Sequence, residues 1–143
     1  MLGSQTTIID FQYLSDPEKL QVAKVRAASI RKSLPKQVYA GSFTLESKLP
    51  WKAMMFREML VHRFSDFLDA AILLYESEHL IPAFAVTRCL IETTAMMYWL
   101  RIKVKEFDKN HDVAAFDDFL IKGLMGDKLG VTEISSYNIL TAI

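Results

Sequence analysis

Two apolar-rich stretches decide the fold: residues 51–78, WKAMMFREMLVHRFSDFLDAAILLYESE, and residues 82–107, PAFAVTRCLIETTAMMYWLRIKVKEF. In the first, Phe56, Leu60, Phe64, Phe67, Ala71 and Leu74 recur three and four apart, which is the period of a helix with one buried stripe. Glu58, His62, Asp69 and Glu76 fall on the opposite face. Met54, Val61, Leu68 and Ile72 widen the apolar coverage, so this helix is expected at the centre of a bundle or shared with a second subunit. In the second stretch Pro82 fits the first turn of a helix, where its missing N–H costs nothing. The few residues from Ser77 to Leu80 leave room only for a tight turn, so the two helices are expected to pack as an antiparallel hairpin.

Working outward, Ser15-Asp-Pro17-Glu18 has the form of a capping box with proline in the first turn. A helix is predicted from there to about Ser33, with Leu20, Ala23, Ala27, Ile30 and Leu34 as its stripe and Pro35 as its stop. Residues 35–50 hold Gly41, Ser42, Ser47 and Pro50 without a sustained period and read as a long connection. After the hairpin a weaker helix is predicted from about Asn110 to Lys122, with Val113, Phe116, Phe119, Leu120 and Leu124 inward and Gly123 and Gly126 at its end. Another helix is expected to begin near Thr132. The expected fold class is all-α: a single domain over 1–143, built on the 51–78 and 82–107 hairpin, with a basic first helix and a shorter acidic fourth helix around it. The sequence ends at Leu140-Thr-Ala-Ile143 without a closing signal, which suggests a piece of a longer protein.

Composition agrees with a folded domain. Of 143 residues, 51% are hydrophobic and 24% charged, with 17 basic and 17 acidic side chains, which excludes disorder and low complexity. A chain of this length hides roughly 70% of the surface that its unfolded form exposes, so no disulfide or structural metal is required. Cys89 is the only cysteine and has no partner for a disulfide, which points to a reducing compartment, with the cytoplasm as the expected location. The N-terminal residues lack the basic and apolar regions of a signal peptide. Residues 80–102 are long enough to span a bilayer, but Arg88 and Glu92 near the middle would each cost about 2.5–3.5 kcal/mol there. The segment is therefore read as a buried helix of a soluble bundle, and no membrane association is expected.

Charge is balanced overall and uneven along the chain. Residues 1–63 hold ten basic and five acidic side chains, and residues 64–143 hold seven and twelve. The basic excess lies on and around the first helix: Lys19, Lys24, Arg26, Arg31, Lys32 and Lys36. It reads either as a solvated face or, if the side chains cluster, as a phosphate-contacting surface.

Four candidates for chemistry stand out. Arg88 and Glu92 lie four apart on one face of an apolar helix, where isolated charges would be costly. They read either as a structural ion pair tying helices together or as a site for an anionic ligand centred on Arg88 and oriented by Glu92. Arg57 and His62 form an Arg-x4-His spacing that can serve RNA cleavage, with histidine moving protons and arginine stabilising phosphorane charge. Residues five apart on a straight helix point about 140° from one another, so a joint site requires a bend, a helix start or a second subunit. The competing reading pairs a surface His62 with Glu58, one turn away. Glu76-Ser-Glu-His79 and Asp108-Lys-Asn-His111 have the spacing of helical metal ligands, but they fall at predicted helix ends and lack further carboxylates, so no metal is expected. With no glycine-rich phosphate loop either, no cofactor is expected. Cys89, among apolar neighbours, reads as a core residue.

The segments His62-Arg-Phe-Ser-Asp-Phe-Leu-Asp-Ala-Ala-Ile-Leu-Leu-Tyr75 and Ala83-Phe-Ala-Val-Thr-Arg88-Cys-Leu-Ile-Glu92 resemble a bacterial family of unknown function. In that family a helical hairpin carries a histidine near its start and an Arg-x-x-x-Glu signature on its second helix. It is similar to the HEPN superfamily, whose helical domains often dimerise and include RNA-cleaving toxins, defence proteins and inactive binding modules. The resemblance covers about residues 55–107. It implies a module that engages RNA or a nucleotide in a defence or toxin–antitoxin setting. Cleavage would be metal-independent, with His62 as acid/base and Arg57 or Arg88 holding phosphate. The partners it implies are a second copy of the chain and an antitoxin or defence-system protein. In active members the Arg-x4-6-His motif lies later in the helical core, whereas here it opens the first hairpin helix. The alternative expectation is a non-catalytic dimerisation or protein-interaction domain in which Arg88 and Glu92 are structural.

Overall fold

The computed structural model describes residues 16–37, 47–126 and 134. Within them the chain forms four helices, α1 (Asp16–Ser33), α2 (Leu49–Glu76), α3 (Leu80–Asn110) and α4 (Val113–Met125), and no strand. This is the all-α bundle that the hydrophobic period predicts. Ser15 of the capping box, most of the connection expected over 35–50 and all but Ile134 of the last expected helix lie outside the described residues.

The boundaries differ from expectation where end groups find local partners. α2 begins two residues before Trp51 because Pro50 sits in its first turn, and the Ser47 hydroxyl accepts the Leu49 N–H at 3.2 Å. It ends where Ser77 and His79 donate their N–H groups to Leu73 and Leu74 and Glu78 adopts a left-handed φ of 60°. α3 runs one turn beyond Phe107, until His111 takes a left-handed φ of 54° and donates its N–H to the Phe107 carbonyl. Asn110 therefore closes α3 rather than opening α4. The N-cap of α4 is Asp112, which accepts the Ala115 N–H at 3.0 Å. Gly123 lies inside α4 rather than at its end.

α2 and α3 pack along one another as the expected antiparallel hairpin, and α4 closes over one end of it. There the core gathers Leu49, Phe56 and Leu60 of α2, Met96 and Leu100 of α3, and Phe116, Phe119 and Leu120 of α4. Phe119 meets Phe56 and Trp99 edge to face, with ring centres 5.9 and 5.2 Å apart, and Phe116 stacks on Phe107 at 4.9 Å. A half-buried pair, Lys52 to Asp117 at 2.6 Å, fixes α4 across α2. α1 lies antiparallel to α2 and is held differently: Ala27 is its one buried residue, and Lys24 pairs with Glu76 while Arg31 pairs with Asp66 and Asp69.

Two expectations about burial are corrected. Glu58, read as facing solvent, is buried at 7% exposure, because the end of α1 lies over that part of α2. α3, read as a buried core helix, buries only Ala83, Thr93, Met96 and Leu100. It is long and apolar enough to cross a membrane by length and composition, yet its most apolar window is mostly exposed. The physical reason is the order of layers. Both α1 and α4 dock on α2, whereas Ile81, Phe84, Ile91 and Tyr98 on the outer side of α3 face solvent.

Gly123 gives a direct test of the α4 closure. A Cβ built there would meet the Phe56 ring at 2.4 Å, and Phe56, 1% exposed, has no free direction in which to move. Gly123→Ala is expected to destabilise the fold by about 1–3 kcal/mol through overpacking, outweighing a helix-propensity gain of about 1 kcal/mol. In a Phe56→Ala background the same change should be neutral or stabilising, which a double-mutant cycle in denaturant would measure.

Candidate functional site

His62 stands on the exposed side of α2, with Nε2 3.3 Å from the Pro35 carbonyl oxygen. Proline ends α1 and turns the chain so that residues 34–37 pass beside the histidine. The result is a groove of about 720 Å³ lined by Arg31, Lys32, Lys36, Glu58, Met59 and His62, among others. Arg31 is held by two carboxylates. The hydrogen bond to Asp69, then that to Asp66, keeps its guanidinium pKa above the ordinary value, so it is a fixed cation within an ion-pair cluster. Lys32 and Lys36 form no ion pair with a described residue and supply the groove with two available positive charges.

Arg57 does not join this groove. α2 is continuous through residues 57 to 62, so the two side chains diverge as helix geometry requires. Arg57 opens instead into a second, more apolar groove of about 600 Å³ between α2 and α3, with Leu60, Leu100, Arg101 and Lys105 among its lining. Its guanidinium is paired with Glu58, whose carboxylate is buried and also lines the first groove. The expected pairing of Glu58 with His62 is thus replaced by one with Arg57. A joint Arg57–His62 site is not assembled within the chain.

Arg88 and Glu92 form the expected pair, Nε to Oε1 at 3.1 Å. The pair lies within one helix and ties no helices together, since the Arg88 side chain is 70% exposed and that of Glu92 26%. Neither residue lines any of these grooves, so His62, Arg57 and Arg88 occupy three different surfaces. Among the described residues no group of three or more His, Cys, Asp or Glu side chains converges as metal ligands. Glu76 and His79 are divided by the α2–α3 turn, with Glu76 paired to Lys24. Cys89 is a half-buried free thiol.

Sequence reasoning missed the joining of Lys32 and Lys36 to His62. The basic excess of the first helix was the available signal, but which of its charges remain free depends on where Asp66 and Asp69 lie. Comparison with protein-family models, curated proteins and solved structures finds no match.

The two arginine–glutamate pairs should differ in stability. Arg57→Ala leaves a buried carboxylate without its partner and is expected to cost about 1–3 kcal/mol. Arg88→Ala removes an exposed i,i+4 pair and is expected to cost less than about 1 kcal/mol. Chemical denaturation of both variants at low protein concentration would check the contrast.

Proposed function

We propose that this chain is a HEPN-like helical module that binds the phosphates of RNA or of a nucleotide in the groove between α1 and α2. The observation that carries the reading is the convergence of Lys32, Lys36 and an exposed His62 on one groove. Lysines act on phosphate as flexible point charges, and histidine can exchange a proton with a ribose hydroxyl or a leaving oxygen near neutral pH. In this arrangement the phosphate is held by Lys32 and Lys36, because Arg57 is engaged by Glu58 and Arg88 lies on another face. RNA cleavage would then be metal-independent with His62 as acid/base. The resemblance over residues 55–107 supports a bacterial defence or toxin–antitoxin setting, with an antitoxin or defence protein as partner.

The test is binding of a short single-stranded RNA by fluorescence anisotropy over a salt series, with cleavage of total tRNA in EDTA measured beside it. Each of Lys32→Ala and Lys36→Ala is expected to weaken binding and to lower the magnitude of the log–log salt slope by about 0.7. His62→Ala is expected to abolish cleavage while RNA is still bound. RNA binding unchanged in the Lys32→Ala/Lys36→Ala double variant would overturn the assignment of the groove. Binding without cleavage by the wild type would retain the groove and remove the catalytic role.

A second reading, a non-catalytic interaction domain, is favoured by one specific observation: the row of large apolar side chains exposed along the outer face of α3.

A further inference from the structure

The outer face of α3 carries Ile81, Phe84, Arg88, Ile91, Ala95 and Tyr98, spaced alternately three and four residues apart over five turns. That is the 3.5-residue repeat of a coiled-coil seam, with Ile81, Arg88 and Ala95 in one position of the heptad and Phe84, Ile91 and Tyr98 in the other. Every large member faces solvent: Ile81 is 86% exposed, Phe84 74%, Tyr98 63% and Ile91 59%, and the Arg88 side chain 70%. Single exposed apolar residues are ordinary, but a continuous row of this length marks an interaction surface.

We infer that this face seats the same face of a second copy of the chain, with the two α3 helices antiparallel about a two-fold axis near residue 90. The argument is self-complementarity. In an antiparallel pair the two heptad positions face one another, and one register satisfies every layer at once. It sets Ile81 on the partner's Tyr98, Phe84 on the partner's Ala95, and the aliphatic stem of Arg88 on the partner's Ile91. The Phe84 ring thus meets the smallest side chain of the row, Ala95, which leaves room for it as close packing demands. Charge agrees with shape. At the axis two Arg88 and two Glu92 come together, so that each arginine has a carboxylate in its own helix and one in the partner, with no net charge. A parallel arrangement would instead place Arg88 beside the partner's Arg88 within the seam.

Size also fits. A standard interface takes about 800 Å² from each partner. The face offers five large side chains more than half exposed, two of them aromatic at about 150–250 Å² each. A bilayer is the competing occupant, but it would have to accept Arg88 and Glu92 at about 2.5–3.5 kcal/mol each near the helix centre. The inference does not depend on the phosphate groove, which lies between other helices, so either can fail alone.

The test is sedimentation velocity of the full chain beside Phe84→Glu and Ile91→Glu, with helix content followed by circular dichroism. Both residues are exposed in the protomer, so the variants are expected to fold as wild type while self-association weakens at least about tenfold. Arg88→Glu, which puts four carboxylates at the axis, should weaken it as well, and the Arg88→Glu/Glu92→Arg double exchange should restore it. Register is read by cross-linking in a Cys89→Ser background. Phe84→Cys mixed with Ala95→Cys is expected to form a disulfide under mild oxidation, and Phe84→Cys alone is not. A wild-type chain that stays monomeric, or a dimer indifferent to Phe84→Glu and Ile91→Glu, would overturn the inference. So would flotation of the chain with phosphatidylcholine vesicles that Phe84→Glu abolishes, which would give the face to lipid.

Discussion

The packing of Phe119 against Phe56 and Trp99 is the contact on which the rest of the structure depends. It brings α4 over the end of the hairpin where α2 begins and α3 ends, and Gly123 permits the approach because a side chain there would occupy the space of the Phe56 ring. With α4 fixed at that end, the apolar core lies there too: Leu49, Phe56, Leu60, Met96, Leu100, Phe116 and Leu120 all belong to it. Among the described residues the opposite end of the hairpin has no comparable cap on α3. α1 covers α2 along that end, and the first half of α3 leaves its outer row in solvent.

The attachment of α1 explains much of the charge asymmetry along the chain. Its cations face acids of α2, Lys24 at Glu76 and Arg31 at Asp66 and Asp69, so part of the basic excess is an adhesive between helices. Exposed pairs of this kind contribute little individually, but several along one contact set the register of α1 on α2. That register carries Lys32, Pro35 and Lys36 to His62. The candidate phosphate groove is thus a product of the ion-pair ladder and of the proline that ends α1. The solvated-face and phosphate-surface readings of the basic segment each hold for different residues of it.

Arg88 and Glu92 show how burial changes meaning. In sequence they are two charges inside an apolar helix, which suggests a costly internal pair or a ligand site. In the fold they lie on an exposed face, where the pair costs little and ties nothing, and their neighbours in the row are the unusual feature. Arg57 shows the converse. By its spacing it reads as the phosphate-holding half of a catalytic motif, and in the fold it compensates Glu58, a carboxylate buried under the end of α1.

The helices themselves were legible in the amino-acid order, because a 3.6-residue apolar period and the punctuation by Pro17, Pro35 and Pro82 are local properties. The hairpin followed from the shortness of the Ser77–Leu80 turn. Of the inward set expected for α4, Phe116, Phe119 and Leu120 were legible for the same reason, since a short helix with one apolar stripe has one way to bury it, whereas Val113 in its first turn is 56% exposed. What the order of residues could not decide was which of two apolar faces on a long helix is covered. α2 and α3 each have apolar side chains on more than one side, and the choice rests on where α1 and α4 dock. Only the tertiary arrangement buried Glu58, separated Arg57 from His62, joined His62 to Lys32 and Lys36, and left the Ile81–Tyr98 row in solvent. Each of these is a contact between residues far apart in the chain, set by the register of one helix on another, and periodicity within a single helix carries no information about it.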